Sequence, residues 1–270
     1  MRGRDEQLPD PIVPPDTYSE EYYRKACAGF AEWDASEGKE VAGIYAGILA
    51  LSRFRPGDVL LDIGTGRGEL LAVAVEQGAS RAVGVEYASA AVEMARKTLD
   101  VHKVTHKAEV IFGDARSIPL EDNTADLATM VDVVEHLAHE ELDRTLREAL
   151  RILRPGGRVF IHTMPSKTLY NVTYKAQRLI SSKRRKAWPA DPRIHENEHL
   201  MHVNEQTLSS LKRYLRAAGY DGVRSWVGKW MYTDFIPDQK AKRLYHVLAK
   251  FPLTRRFGVA DLFAEGTKPV

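Results

Sequence analysis

Val59-Leu60-Leu61-Asp62-Ile63-Gly64-Thr65-Gly66-Arg67-Gly68-Glu69-Leu70-Leu71 reads as a buried apolar strand running straight into a glycine turn, with an acid two residues before the first glycine. The spacing of Gly64, Gly66 and Gly68 is G-x-G-x-G, not the G-x-G-x-x-G that opens a dinucleotide helix around a pyrophosphate. Such a turn alone is weak evidence, and its surroundings decide what it means. A second apolar strand, Arg81 to Val85, ends in Glu86, where a carboxylate can accept both hydrogens of a ribose diol. A third, Ala108 to Phe112, ends in Gly113-Asp114-Ala115, and a fourth, Ala125 to Val131, ends in Asp132. Ligands of open parallel sheets bind just outside the carboxyl ends of strands, so four polar tips in register make one pocket for a nucleoside-bearing cofactor. Glu86 or Asp114 alone would read equally well as a solvated strand-end acid; both together, each at its strand, favour the pocket.

Between the strands lie amphipathic helices, about Glu69 to Gln77, Ser89 to Asp100 and Glu140 to Leu153, the alternation that makes right-handed crossovers and a parallel sheet. A fifth strand, Arg158 to Thr163, follows Leu153-Arg154-Pro155-Gly156-Gly157. In this order, glycine turn, ribose acid, Gly-Asp-Ala and Pro-Gly-Gly strand, residues 55 to 165 resemble the class I S-adenosylmethionine-dependent methyltransferases. The resemblance implies an α/β fold: a Rossmann-like seven-stranded sheet with helices on both faces. It also implies an N-terminal arm and helices over residues 1–52, and a methyltransferase domain over 53–270 with an acceptor lid at 165–204 after strand five. S-adenosylmethionine is then the expected cofactor. The resemblance assigns the backbone of Gly64, Gly66 and Gly68 to its methionine part, Asp62 to its amine or to the layer behind, Glu86 to the ribose, and Asp114 with Ala115 to the adenine edge.

The closing elements are expected as a helix from Glu205 to Ala218, a strand near Val223 to Val227, a helix around Gln239 to Lys250 and a last strand, Asp261 to Glu265. Pro165 to Asn204 breaks the pattern, and an insertion of that length is more often a functional lid than a structureless loop. It carries Tyr170, Tyr174 and Trp188, the basic run Lys183-Arg184-Arg185-Lys186, and His195, His199 and His202. Upstream of the domain, a Pro- and acid-rich arm leads to Ser19, which caps a helix through Glu20-Glu21-Tyr22-Tyr23. Tyr22 or Tyr23 either touches the cofactor or packs in the core.

The acceptor chemistry centres on Asp132-Val133-Val134-Glu135-His136-Leu137. If a helical turn starts here, residues 132, 135 and 136 share one face. Two carboxylates and an imidazole suit a divalent cation, Mg2+ or Mn2+, or His136 with Asp132 serves as a base, or the pair is structural. An acid-x-x-Glu-His at this position resembles ubiquinone-pathway O-methyltransferases and the enzymes that 2′-O-methylate small-RNA ends; the second resemblance implies His199 or His202 as a further metal ligand. Either chemistry favours an oxygen acceptor, since an alcohol needs proton removal or coordination to become a nucleophile.

The stretches Tyr18-Ser19-Glu20-Glu21-Tyr22-Tyr23, His162-Thr163-Met164-Pro165 and His199-Leu200-Met201-His202-Val203-Asn204 are similar to methyltransferases of bacterial glycan and secondary-metabolite pathways, mannoside O-methyltransferases among them. They imply a sugar or glycoside hydroxyl as acceptor. Tyr170, Tyr174 and Trp188 then either supply faces for a sugar ring or pack inside the lid. The rival readings are a metal-dependent RNA 2′-O-methyltransferase and a non-catalytic methyltransferase-fold partner subunit. The first is weakened by a net charge of only +2 and the absence of an RNA-binding module. The second is disfavoured by the intact cofactor residues.

Charge is uneven along the chain: residues 1–150 hold 16 Lys and Arg against 28 Asp and Glu, and the remainder 23 against 9. The basic half either meets a polyanion or attracts the acidic half or a second subunit, so a homodimer is an expectation too. There is no apolar run behind a basic start and no run of about 18 apolar residues, so neither a signal peptide nor a membrane span is expected, and the cytoplasm is the expected compartment. One cysteine, Cys27, excludes an internal disulfide and a multi-cysteine zinc site; it is expected as a small buried side chain on a helix.

Overall fold

The computed structural model describes residues 8–25, 27, 29–164, 166–175, 179, 198–228, 243, 247, 250–251 and 261–270. Its strands are β1 (Val59–Ile63), β2 (Arg81–Glu86), β3 (Ala108–Phe112), β4 (Ala125–Val131), β5 (Leu153–Thr163), β6 (Asp221–Val227) and β7 (Leu262–Thr267). They form one seven-stranded sheet in the order β3-β2-β1-β4-β5-β7-β6. The first five are parallel, and β7 runs antiparallel to both β5 and β6. Chain order reverses between β1 and β4, which opens a crevice at their carboxyl ends. Ile63 pairs with Val85 on one side and Met130 on the other, while Val131 pairs with His162, so the tips of β1, β2, β4 and β5 end side by side.

The helices are α1 (Glu20–Lys25), α2 (Phe30–Ser36), α3 (Ile44–Leu51), α4 (Glu69–Glu76), α5 (Ser89–Val101), α6 (His139–Ile152), α7 (Glu198–Met201) and α8 (Leu208–Ala218). A short π-helical segment spans Leu169–Tyr174. The continuous apolar runs of the central strands are covered on both faces, as parallel sheets require. Leu60 and Leu127 pack with Ile48, Leu71 and Leu99 from α3, α4 and α5. Their neighbours Leu61 and Ala128 point the other way, onto Leu142 and Leu146 of α6 and Leu211 and Leu215 of α8. A third cluster seats the N-terminal arm on α5: Val13, Tyr18, Tyr23 and Trp33 pack against Ala91 and Met94, and the Trp33 Nε1–H donates to Thr98 Oγ1 at 2.8 Å.

Several boundaries differ from the sequence expectation, each for a local reason. β5 begins at Leu153, which pairs with Ala125 across a bulge, so the Pro-Gly-Gly turn lies within the strand and not before it. α8 begins at Leu208 because Thr207 is its cap, accepting from Ser210 N at 3.1 Å, while Asn204, Glu205 and Gln206 are buried in the preceding loop. β7 starts one residue later than expected and continues to Thr267. Cys27 sits between α1 and α2 rather than on a helix, and is half-buried. The basic run at 183–186, Trp188 and His195 lie outside the described residues, as do most of the 165–204 segment and most of the expected helix around 239–250, within which Arg243 and Val247 are helical. Among the described residues no helix is long and apolar enough to cross a membrane.

Candidate active site

The three glycines of the β1 turn all have positive φ, and a side chain at each would meet something different. At Gly64 a Cβ would stand 2.5 Å from Val133 Cγ2, and at Gly68 it would press on Ala95 of α5 at 3.0 Å. At Gly66 the nearest atom is 3.7 Å away, on the Tyr23 ring. Gly64 and Gly68 therefore let the turn pack against protein, whereas Gly66 presents bare backbone to open space, the property needed where a ligand approaches the main chain.

Glu86 fastens that turn. One carboxylate oxygen accepts from Gly66 N at 3.0 Å, and the other accepts from Tyr87 N at 2.9 Å and Ala88 N at 3.0 Å. Burial raises its pKa, with the three N–H donors opposing. Asp62, also buried, accepts from Thr129 Oγ1 at 2.7 Å on β4, and burial pushes it up to about 6. Asp114 is held by Arg116, which the sequence reading missed. The Arg116 Nη2 lies 2.7 Å from Asp114 Oδ2, its Nε 3.0 Å from each oxygen, and its Nη1 reaches Glu141 at 3.2 Å. Ala115 and Asp114 line the same cavity as Gly64, Gly66, Asp62 and Glu86, while Gly68 sits behind it as the cap of α4.

This cavity has a volume of about 590 Å³, within the range of small-molecule sites. The N-terminal arm and α1 supply its roof through Tyr18, Tyr22 and Tyr23, so both tyrosines singled out in the sequence line it. A buried cluster ties roof to turn: Arg67 donates to the Tyr23 carbonyl and, through Nε, to Glu69 at 3.0 Å, and Tyr45 donates its hydroxyl to the same Glu69 oxygen at 2.9 Å. Cys27 lines the cavity as well, and burial pushes its thiol up to about 12, which makes it a poor nucleophile.

Residues 132–137 form an irregular turn instead of the helical start that the spacing suggested, and Asp132 has φ +54°. The change of backbone sends the expected ligand set in two directions. Glu135, His136 and His202 converge, with one potential ligand atom of each lying within 4.8 Å of the others. Asp132 instead faces His162 of β5, Oδ1 to Nδ1 at 2.9 Å. The side chain of His199 lies outside the described residues.

Glu135 is buried and accepts from Thr163 Oγ1 at 2.8 Å; burial, with nearby Asp132 second, pushes its pKa up to about 8. His136 meets the Tyr18 hydroxyl at 3.0 Å through Nδ1, and its ring stands edge-on to His202 at 4.7 Å. Burial first, then His202, brings its pKa down to about 3. Burial thus favours the uncharged form of each of the three, and makes His136 a weaker base than an ordinary histidine. Around it stand Val133, Leu137, Met164, Met201 and the tyrosines, so this end of the cavity is apolar.

His162 and Asp261 also escaped the sequence reading. His162 is fully buried, and its Nε2 lies 3.1 Å from Asp261 Oδ1. Burial lowers its pKa, but the two flanking carboxylates override that and raise it to about 10. A signal was present: a histidine inside the apolar run Val159-Phe160-Ile161-His162 must find polar partners, although nothing local says which.

Residues 37–225 match the family described as a methyltransferase domain. A demethylmenaquinone methyltransferase of Symbiobacterium thermophilum is 33% identical over 112 residues, 41% of this chain and 44% of that protein. The chain thus spans less than half the length of that relative. A ubiquinone/menaquinone biosynthesis C-methyltransferase of Idiomarina loihiensis is 31% identical over 64% of this chain and 70% of its own. Among solved structures, a chain of the complex between the Haloferax volcanii Trm112 methyltransferase activator and a methyltransferase superposes with a TM-score of 0.60 at 19% identity. The match covers 98% of this chain and all of that one, and shows the fold alone.

Proposed function

Because the chain belongs to the methyltransferase-domain family, we propose that it transfers the methyl group of S-adenosylmethionine to a small molecule bearing a hydroxyl on a flat apolar ring, of phenol or hydroquinone type. The observation that carries this is the chemistry of one cavity, lined both by Gly66, Asp62, Glu86 and Asp114 and by Tyr18, Tyr22, Leu137 and Met201, the latter beside the 132–136 turn. The polar end fits the cofactor, since no protein side chain crowds Gly66 closer than ordinary contact and Glu86 keeps one acceptor lone pair, on the oxygen that takes Gly66 N–H. When bound, S-adenosylmethionine supplies an electrophilic methyl on a sulfonium. The protein's part is to hold acceptor and donor in line, exclude water and accept the acceptor's proton.

A glycoside acceptor has less support than the sequence reading gave it. Tyr174 is not among the cavity-lining residues, and Trp188 and the Tyr170 side chain lie outside the described residues. The Symbiobacterium relative is named for demethylmenaquinone and the Idiomarina relative for ubiquinone/menaquinone biosynthesis, which agrees with a ring acceptor. Removing a proton from a ring hydroxyl makes both the oxygen and the neighbouring ring carbon nucleophilic. Methylation at oxygen is the lead reading, and methylation at carbon is the second, favoured by the C-methyltransferase relative.

The test supplies labelled S-adenosylmethionine with, separately, 1,4-naphthohydroquinone, phenol, methyl mannoside and a small RNA. Label on the hydroquinone is expected, and fragmentation of the product tells oxygen from carbon. Label on the mannoside or the RNA alone would replace the ring acceptor. Transfer to none, with S-adenosylhomocysteine still bound, would favour a non-catalytic partner subunit.

Metal assistance rests on a separate observation, the convergence of Glu135, His136 and His202. One carboxylate and two imidazoles fit a transition divalent ion such as manganese better than magnesium, and such an ion would lower the pKa of an acceptor hydroxyl. On this reading a chelator abolishes turnover, manganese restores it, and S-adenosylhomocysteine affinity is unchanged; full turnover in chelator removes the metal.

A further inference from the structure

Behind the acceptor end of the cavity stand two buried side chains with no part in the chemistry so far. His162 of β5 and Asp261, immediately before β7, are both wholly inaccessible, while Asp132 retains 29% exposure and lines the cavity. They make a row: Asp261 Oδ1 to His162 Nε2 at 3.1 Å, then His162 Nδ1 to Asp132 Oδ1 at 2.9 Å. A neutral imidazole has one N–H and one lone pair, so carboxylates at ion-pair distance from both its nitrogens favour the imidazolium over the neutral ring. The cation lies between two acids from separate parts of the chain, 99 residues apart on one side and 30 on the other.

The backbone of Asp132 is committed to the same neighbour. Its N–H donates to the His162 carbonyl at 3.0 Å, and its φ of +54° puts a non-glycine residue in the left-handed region. Strain of this kind persists where the surroundings over-determine it and is concentrated at functional sites. A β4 tip with ordinary φ would carry its side chain elsewhere. Held this way, Asp132 has one carboxylate oxygen against His162 while the residue remains open to the cavity.

We propose that Asp132 is the carboxylate that takes the acceptor's hydroxyl proton, and that His162, itself held by Asp261, is the positioning residue that fixes Asp132 toward the cavity. This rests on reading the apolar end as the acceptor site. In the step, an electron pair of the acceptor oxygen, or of its neighbouring ring carbon, forms a bond to the sulfonium methyl. The carbon–sulfur bond breaks with its pair left on sulfur, giving the neutral thioether, and the hydroxyl proton passes to Asp132, which returns it to solvent. No oxidant or further reactant is needed. His162 keeps its two protons throughout, with Asp261 as its fixed counter-charge.

The first measurement needs no acceptor. In protein labelled with 15N-histidine and saturated with S-adenosylhomocysteine, His162 should show two ring N–H groups at pH 8, assigned by their loss in His162→Gln; a single ring proton in the wild type overturns the proposal. The second uses 1,4-naphthohydroquinone. His162→Gln should lower kcat about 10- to 100-fold with KM for S-adenosylmethionine held within about twofold. Asp132→Asn should lower kcat at least as far, and adding His162→Gln to Asp132→Asn should cost nothing more, because His162 acts through Asp132. An unchanged kcat, or losses that multiply in the double variant, overturns the positioning role. If His162→Gln fails to melt cooperatively, Asp261→Asn carries the test, with kcat lowered about threefold or more. A wild type that leaves the hydroquinone unmethylated yet shows both ring protons overturns the acceptor reading and supports the triad.

Discussion

At the scale of single residues, the site depends on what each side chain does besides its expected task. Glu86 was expected to meet a ribose, yet one of its oxygens also accepts from Gly66 N in the turn that would face the methionine part, while the other holds Tyr87 N and Ala88 N. Glu86→Ala should therefore weaken S-adenosylhomocysteine binding by about 1.5–3 kcal/mol, the scale of a charge-assisted hydrogen bond. Calorimetry checks it, and unchanged affinity would remove Glu86 from the site. The glycines separate by neighbour in the same way. Gly66→Ala puts a methyl in ordinary contact with the Tyr23 ring at a position of φ +54°, so it should lower the melting temperature by only a few degrees and cut cofactor affinity. Gly68→Ala drives a methyl into Ala95 and should cost stability instead, by about 1–3 kcal/mol. A melting curve and a titration on each variant distinguish the two, and a reversal of these effects would mean the cofactor approaches the turn elsewhere.

At the scale of elements, the roof is attached to the cofactor turn through one buried ion pair. Arg67 and Glu69 are almost completely buried, and Arg67 also holds the Tyr23 carbonyl of α1. Removing one member of such a pair strands a charge and typically costs about 3–5 kcal/mol, whereas replacing both with apolar groups is often nearly neutral. Arg67→Met should lower the denaturant midpoint sharply, and Arg67→Met with Glu69→Met should recover much of the loss; equal midpoints for both would show that the pair is not a buried ionic link. The elements themselves were largely legible in the sequence. The five parallel strands and the helices α4 to α6 announce themselves through apolar periodicity, and the acids at Asp62, Glu86, Asp114 and Asp132 stand at strand ends where the chain must turn. Their partners were not legible, because pairing is decided by topology: Arg116 reaches Glu141, Tyr18 reaches His136, and His162 reaches Asp261 across spans that no local pattern encodes. The misread turn at 132–137 has the same origin. Helical spacing of 132, 135 and 136 is a correct inference from a helix, but the tie between Asp132 and His162 sets the backbone otherwise.

At the scale of the whole molecule, buried titrating groups give the fold a pH dependence whose sign can be worked out. His162 is raised to about 10 from an unfolded value near 6.5, so its contribution is complete below about pH 6.5 and is lost as pH climbs toward 10. Glu135, raised to about 8, adds a loss in the same direction between about pH 4.5 and 8, since the unfolded chain ionises there before the folded one does. His136, brought down to about 3, acts oppositely: below about pH 6.5 the unfolded chain gains a proton that the fold refuses, so stability falls on acidification. Between about pH 4.5 and 6.5 the His136 gain and the Glu135 loss offset each other, and above about pH 6.5 Glu135 and His162 both lose, so the optimum should lie below about pH 6.5. Urea midpoints should decline from pH 7 to pH 9, and above pH 8, where more than half of Glu135 is already ionised in the fold, His162 should supply most of the slope, about 1.4 kcal/mol per pH unit at its greatest. His162→Gln should be less stable than the wild type at pH 7 and flatter from pH 8 to 9. A wild-type profile that rises across that interval, or one that His162→Gln leaves equally steep, would mean that β5 carries a neutral imidazole.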